Sequence, residues 1–352
     1  MEKIICGMQQ IGIGIPNVNE AFAWYRHAFG CDVKILDAEG TAERMLPYTG
    51  GKPQDRWAIL AINLKGGGGF EIWQPMHREL RWISQPVELG DYGIEIGKIK
   101  CADVQKAFDH LKQQPQIEFL GNVVKNPAGI SHFFVKDPYG NIFDVEEDSY
   151  VFTETGAATG GAGGAVIGVS DMDKSMAFYG TLLGYDKVVY DETAQFADLA
   201  AVPGGNRKLR RVRLATSKPM RGPLCEIMGT SYIELVQAFE PVKKIYENRW
   251  WGDPGFIHLC FDVRNMEAVR RDAEAIGHPF VCDSGADFQM GEADGHFTYV
   301  EDPDGTLIEF VETFKIPVIK KLGIYLHLKG KDPEKPLSRM VTKALRFLRV
   351  KD

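Results

Sequence analysis

IPNVNEAFAWYRHAFGCD at residues 15–32 is answered by VSDMDKSMAFYGTLLGYD at residues 169–186, with Tyr25 and Tyr179, Gly30 and Gly184, and Asp32 and Asp186 in step. The correspondence runs on. FEIWQ (70–74) matches YIELVQ (232–237) and aligns Glu71 with Glu234, while GDYG (90–93) matches GDPG (252–255). KDPYGNIFDVEE (136–147) matches EDPDGTLIEFVE (301–312). The offset between the copies grows from 154 to 165, mainly through about nine extra residues before the Glu234 strand. Self-similarity of this kind marks a duplicated unit.

Each copy halves again. IPNVNEAF (15–22), CADVQKAF (101–108), VSDMDKSM (169–176) and VRNMEAVR (263–270) each set Asn or Asp between an apolar strand and a helical pattern. A short polar side chain there caps the helix N-terminus. Asn17 with Glu20 reads as a relaxed capping box. Strand-like segments follow each helix and end in Gly-containing hairpins such as LKGGGGFEI and DPDGTLIEF. The unit is one strand, one helix and about three strands, four times over, which makes the chain α+β. TGAATGGAGG (155–164) reads as a flexible linker: a phosphate cradle needs its glycines between strand and helix, and here a strand follows.

At 352 residues, 44% hydrophobic and 25% charged, the chain allows two domains with well-developed cores. It contains no apolar run of membrane-spanning length, and MEKIICGMQQ has no signal-peptide apolar region. Six scattered cysteines without CxxC spacing argue against disulfides and thiolate zinc, and suit the cytoplasm. Net charge is −7, but residues 315–352 carry eleven Lys/Arg against three Asp/Glu, leaving −15 on the body. So acidic a body is a poor nucleic-acid binder, and nucleic acid is not an expected partner.

The repeated V.D…FY…LG and DP.G…E motifs resemble the vicinal oxygen chelate superfamily, which includes glyoxalase I, extradiol dioxygenases, methylmalonyl-CoA epimerase and bleomycin-resistance proteins. The resemblance covers residues 5–314. It implies two half-barrel glyoxalase-like domains, over 1–150 (modules one and two) and 164–314 (modules three and four), joined by the 151–163 linker and followed by a basic C-terminal extension, 315–352. It further implies that metal ligands come from the first and last strands of each module.

Those positions are Gln10 and Glu71 in module one, Ile96 and Asp144 in module two, Gly164 and Glu234 in module three, and His258 and Glu309 in module four. In GDPGFIHLCFDV (252–263), Ile257, Leu259, Phe261 and Val263 alternate with His258, Cys260 and Asp262, so the imidazole points away from the apolar face. Pairing neighbouring modules leaves a dead position in both sets. Pairing one with four and two with three, as in glyoxalase I, gives a complete Gln10/Glu71/His258/Glu309 set and a decayed Ile96/Asp144/Gly164/Glu234 set. One intact site beside one decayed site is the simpler history, and the crossed pairing is our expectation.

One imidazole with oxygen donors and no thiolate suits an open catalytic site for one divalent metal, zinc first, with nickel, cobalt, manganese or iron as alternatives. The resemblance implies a glyoxalase-type lyase or isomerase acting on a small-molecule substrate, with Glu309 as main base, Glu71 as its counterpart, and Gln10 and His258 as fixed ligands. Two readings compete with it: an extradiol-type dioxygenase, and a metal-free binding or resistance protein. The places where glyoxalase I grips glutathione hold Gly14 and Pro254, so a glutathione substrate is in doubt. Arg44, Arg56, Arg249, Trp250 and Trp251 are pocket candidates, and His296 stands close before Tyr299. In the tail, Leu337, Met340, Val341, Ala344, Leu345 and Leu348 share a helical face over 336–348. That helix is expected to dock on the acidic body rather than on a membrane, and the chain to be a monomer or homodimer without stable membrane insertion.

Overall fold

The computed structural model describes residues 2–290, 293–319 and 322–351. Module one comprises β1 (Ile4–Gly14), α1 (Val18–Phe29), β2 (Val33–Ala42), β3 (Gln54–Ile62) and β4 (Gly69–Pro75). Module two comprises β5 (Gly93–Cys101), α2 (Val104–Leu111), β6 (Glu118–Lys125), β7 (Ser131–Lys136) and β8 (Ile142–Glu147). Module three has β9 (Ala162–Gly168), α3 (Met172–Leu183), β10 (Lys187–Ala194), β11 (Leu209–Ala215), the one-turn α4 (Cys225–Met228) and β12 (Tyr232–Ala238). Module four has β13 (Gly255–Arg264), α5 (Met266–Ala275), β14 (Cys282–Asp283), β15 (Phe288–Met290), β16 (Ala293–Glu301) and β17 (Leu307–Ile319).

The helices start where short polar residues stand. Asn17 accepts from the N–H groups of Asn19 and Glu20, Asp103 from Lys106, and Asp171 from Lys174. At α5 the expected Asn cap is replaced. Asn265 sits at φ 66°, and Glu312 from β17 accepts from the N–H groups of Asn265 and Met266. The repeated Tyr and DP.G motifs bond each other: Tyr25 donates to Asp137 at 2.6 Å and Tyr179 to Asp302 at 2.8 Å. Each such bond ties the helix of one module to the last hairpin of the next.

The strands form two curled sheets. One runs β14-β16-β17-β13-β1-β4-β3-β2 and the other β10-β11-β12-β9-β5-β8-β7-β6. β1 is antiparallel to β13 and β5 to β9, so modules one and four share the first sheet and modules two and three the second. A single large core cluster, including Tyr25, Phe70, Phe143, Tyr179, Phe256 and Phe310, spans elements of both sheets.

Residues 159–162 are not a free tether. Lys100 donates its N–H to Gly161 O, Gly160 returns one to Lys100 O, and Thr159 is fully buried. β9 starts at Ala162, inside the stretch read as linker. The tail adds β18 (Ile324–His327) beside β17, then α6 (Arg339–Lys343) and a 3-10 turn over 344–348. Leu345 and Leu348 enter a core with Ile35, Leu224, Ile227 and Ile316, and Arg349 meets Asp32 at 2.6 Å. The expected single apolar face does not form. After α6 the backbone tightens to 3-10 geometry, which turns Met340 (83% exposed) and Val341 outward. All six cysteines are free, and among the described residues no helix is long and apolar enough to cross a membrane.

Candidate metal centre

β17, β13, β1 and β4 lie side by side, and each carries one of the four expected ligand residues. Gly12 of β1 is opposite both His258 and Glu71, and Cys260 of β13 is opposite both Gln10 and Glu309. The four side chains are thus related by an approximate twofold through the β1/β13 pair. Gly12 has to be glycine: a Cβ there would lie 2.4 Å from His258 Cε1. Gly14 is closed to side chains as well, because its Cβ would lie 2.1 Å from the Asp253 carbonyl oxygen. No arginine fits at that position.

Ligand atoms of Glu71, His258 and Glu309 all lie within 4.8 Å of one another, and all three residues are buried. His258 Nε2 stands 3.1 Å from Glu309 Oε2 and 3.3 Å from Glu71 Oε2. Gln10 is 3% exposed and lines the same cavity as Glu71 and Glu309. Both ring nitrogens of His258, Gln10 Oε1 and Glu309 Oε2 are buried without a hydrogen-bond partner. Buried polar atoms are nearly always satisfied; here His258 Nδ1 and Gln10 Oε1 lack a hydrogen-bond partner, and His258 Nε2 and Glu309 Oε2 meet only as an ion pair 3.1 Å apart, which leaves the donor set unsatisfied. Burial and then the Glu309 charge raise Glu71, which the neighbouring imidazole opposes. Burial works against charge on His258, but Glu309 and Glu71 push it up to about 9. A divalent cation would relieve this arrangement, and the donor set fits one.

Sequence reasoning passed over two further residues of the centre. Tyr299 on β16 pairs with Glu309, its ring 5.4 Å from that of His258, and burial followed by the Glu309 charge keeps its phenol protonated. Burial, followed by the Glu309 charge, pushes the Cys260 thiol up as well. Arg44, Arg56 and Trp251 line a cavity of about 290 Å³ that includes Glu71 and Glu309. Arg249 and Trp250 do not join the centre. They wrap Asp253: Arg249 donates to its carbonyl at 3.1 Å and the Trp250 N–H to its carboxylate at 2.6 Å. His296 is held by Asp283 at 2.6 Å.

The second barrel brings Ile96, Asp144, Gly164 and Glu234 to the equivalent positions and answers their charge from within. Lys98 Nζ lies 2.6 Å from Asp144, 2.9 Å from Glu234 and 3.3 Å from Glu146. Arg211 bonds Glu234 and meets Asp198 at 2.6 Å, while Arg213 grips Glu146 with two bonds of 2.6 and 2.7 Å. His132 Nδ1 is 2.8 Å from Asp144. Four cationic or protonatable groups thus face four carboxylates. Burial opposes charge on Asp144, yet Lys98 and His132 hold it well below the usual carboxylate range.

Residues 165–299 match the family model of the Glyoxalase/Bleomycin resistance protein/Dioxygenase superfamily. No curated protein matches the chain as a sequence. Glyoxalase I from Zea mays shares the fold at TM-score 0.51 and 13% identity, covering 88% of this chain and 92% of that one. A single-site mutant of the Zea mays enzyme superposes at TM-score 0.55 and 14% identity, with the same coverage. A putative dioxygenase from Bacillus subtilis subsp. subtilis str. 168 gives TM-score 0.53 and 14% identity, over 88% of this chain and 86% of that one. Residues 165–299 thus carry the sequence signature of that superfamily, and 88% of the chain shares the duplicated fold of glyoxalase I from Zea mays.

Proposed function

We propose that this chain is a metal-dependent lyase or isomerase of the glyoxalase I kind, with Gln10, Glu71, His258 and Glu309 holding one divalent ion, zinc first. The observation that carries the reading is the group of buried, unpartnered donor atoms on Gln10, His258 and Glu309 beside Glu71. When bound, the metal would polarise a substrate carbonyl and stabilise negative charge developing on its oxygen. The chain's own residues do the rest. Glu309 removes the proton from the carbon next to that carbonyl, and Glu71, across the imidazole, serves the opposite face of the substrate. Gln10 and His258 stay fixed. Tyr299, protonated and packed edge-on against the His258 ring, holds the imidazole in place from the β16 side.

Only one histidine joins the cluster among the described residues, whereas non-haem iron oxygen chemistry commonly uses two with one carboxylate. That favours proton transfer over ring cleavage. The test is elemental analysis of the purified wild type and His258→Ala. We expect about one metal per wild-type chain and strong depletion in the variant. Equal metal content in the two would refute the ligand assignment, and oxygen uptake with catechols would refute the reaction class.

A further inference from the structure

Two cavities reach the centre and share Glu71, Phe288, Phe297 and Glu309. They differ in chemistry. The first, about 130 Å³, carries an apolar wall of Ile35, Leu60, Ile62, Ile227, Ile316 and Leu345. That wall is built by module one, by α4 and by the tail. An engineered apolar cavity of roughly 150 Å³ accepts a benzene-sized group, so this one has room for a short hydrocarbon arm.

The second cavity, of about 290 Å³, is lined by Arg56. Arg56 is 8% exposed; it donates to Ala38 O at 2.7 Å, lies 5.2 Å over the Trp73 ring and leaves Nε buried without a partner. Arg44 lines the same cavity. A buried guanidinium with a free donor is costly unless an anion completes it, and the Glu71 charge, one strand away, does not offset its burial.

Resting on the reading of Glu71 and Glu309 given above, we propose that the substrate is a small 2-oxo or 2-hydroxy acid with an apolar side chain. Its carboxylate is recognised by Arg56, its reacting carbon lies between Glu71 and Glu309, and its hydrocarbon arm enters the chamber under Leu345.

The test is calorimetric titration of the metal-loaded protein with pyruvate, 2-oxohexanoate, 2-oxooctanoate and the methyl ester of 2-oxohexanoate. Affinity is expected to rise about fourfold per methylene until the chamber is filled, and the ester to bind at least ~10-fold more weakly than the acid. Arg56→Met should erase the acid-over-ester preference, and Arg56→Lys should keep part of it. Leu345→Trp, or Leu60→Phe if that chain does not fold, should erase the chain-length dependence alone. Equal binding of acid and ester by the wild type, or affinity indifferent to chain length, overturns the proposal. Metal content measured on the same samples separates the two levels. Absent metal defeats the reading of Glu71 and Glu309, while the acid preference is still read, because Arg56 is not a metal ligand in that reading.

Discussion

The two barrels of this chain have one ancestry and opposite electrostatics. In the β1/β13 barrel, Glu71 and Glu309 face each other across an imidazole, with no lysine or arginine bridging them among the described residues. In the β5/β9 barrel, Lys98 occupies the register of Gly12 and places its amine among Asp144, Glu146 and Glu234. A buried carboxylate cluster needs a positive charge from somewhere. One barrel has built its cation into the chain; in the other, on the proposed reading, that place would be filled by a cation supplied from solution. The difference teaches that a duplicated scaffold divides its labour by where the counter-charge comes from.

That comparison breaks most clearly in a matched pair of substitutions. Glu309→Gln should lower kcat by about 10²–10⁴-fold in a steady-state assay while leaving the unfolding free energy of the metal-stripped protein little changed. Its mate Glu234→Gln should leave the chemistry of the first barrel alone and cost ~3–5 kcal/mol of stability in urea unfolding, because Lys98 and Arg211 lose a buried partner. If both variants lost activity and kept stability, the second barrel would be catalytic and the contrast false. Lys98→Met sharpens it from the other side, with a similar ~3–5 kcal/mol loss.

Chelation comes next in size. Stripping metal should lower the unfolding free energy by about 3 kcal/mol relative to protein held at 100-fold excess over Kd, and His258→Ala should abolish that response. Then comes pH. Burial opposes charge on His132, but Asp144 and Asp198 push it up to about 9. Its folded value lies above the unfolded one, so its charge stabilises fully below about pH 6.5 and that contribution is lost as pH rises through about 9. Metal-loaded protein should therefore lose up to roughly 3 kcal/mol across this window in urea midpoints, and His132→Gln should flatten the slope. The smallest effects belong to the tail. Leu345→Ala should cost ~2–3 kcal/mol, whereas Met340→Ala should stay within about 0.5 kcal/mol, both read by thermal unfolding.

Much of this was legible in the sequence, and for a physical reason. The four modules announce themselves because helix caps, the Tyr–Asp tie and the hairpin glycines must recur wherever the unit recurs. The convergence of Gln10, Glu71, His258 and Glu309 followed from strand alternation together with the resemblance. The network of Lys98, His132, Arg211 and Arg213 was not legible, since charged residues alternating along a strand look the same whether the polar face meets water or another sheet. The signal was there in KIK (98–100) and RRVR (210–213), strands with two and three basic residues in an acidic body. The tail misled because a helical wheel assumes a continuous helix, and this one tightens after a single turn. The Gly-rich stretch misled because composition reports freedom of the backbone and not the Lys100 pairing that removes it.

The crossed pairing also orders the birth of the molecule. β5 and β9, with the strands that flank them, lie within residues 93–238, so that barrel can close on the ribosome from a contiguous stretch. Ile13 must wait for Phe256, 243 residues later, before β1 finds its antiparallel partner. Contacts so distant in sequence form late. During synthesis the chain therefore carries a finished, self-neutralised half for some time, and the pocket around His258 forms only after β13 and β17 have emerged.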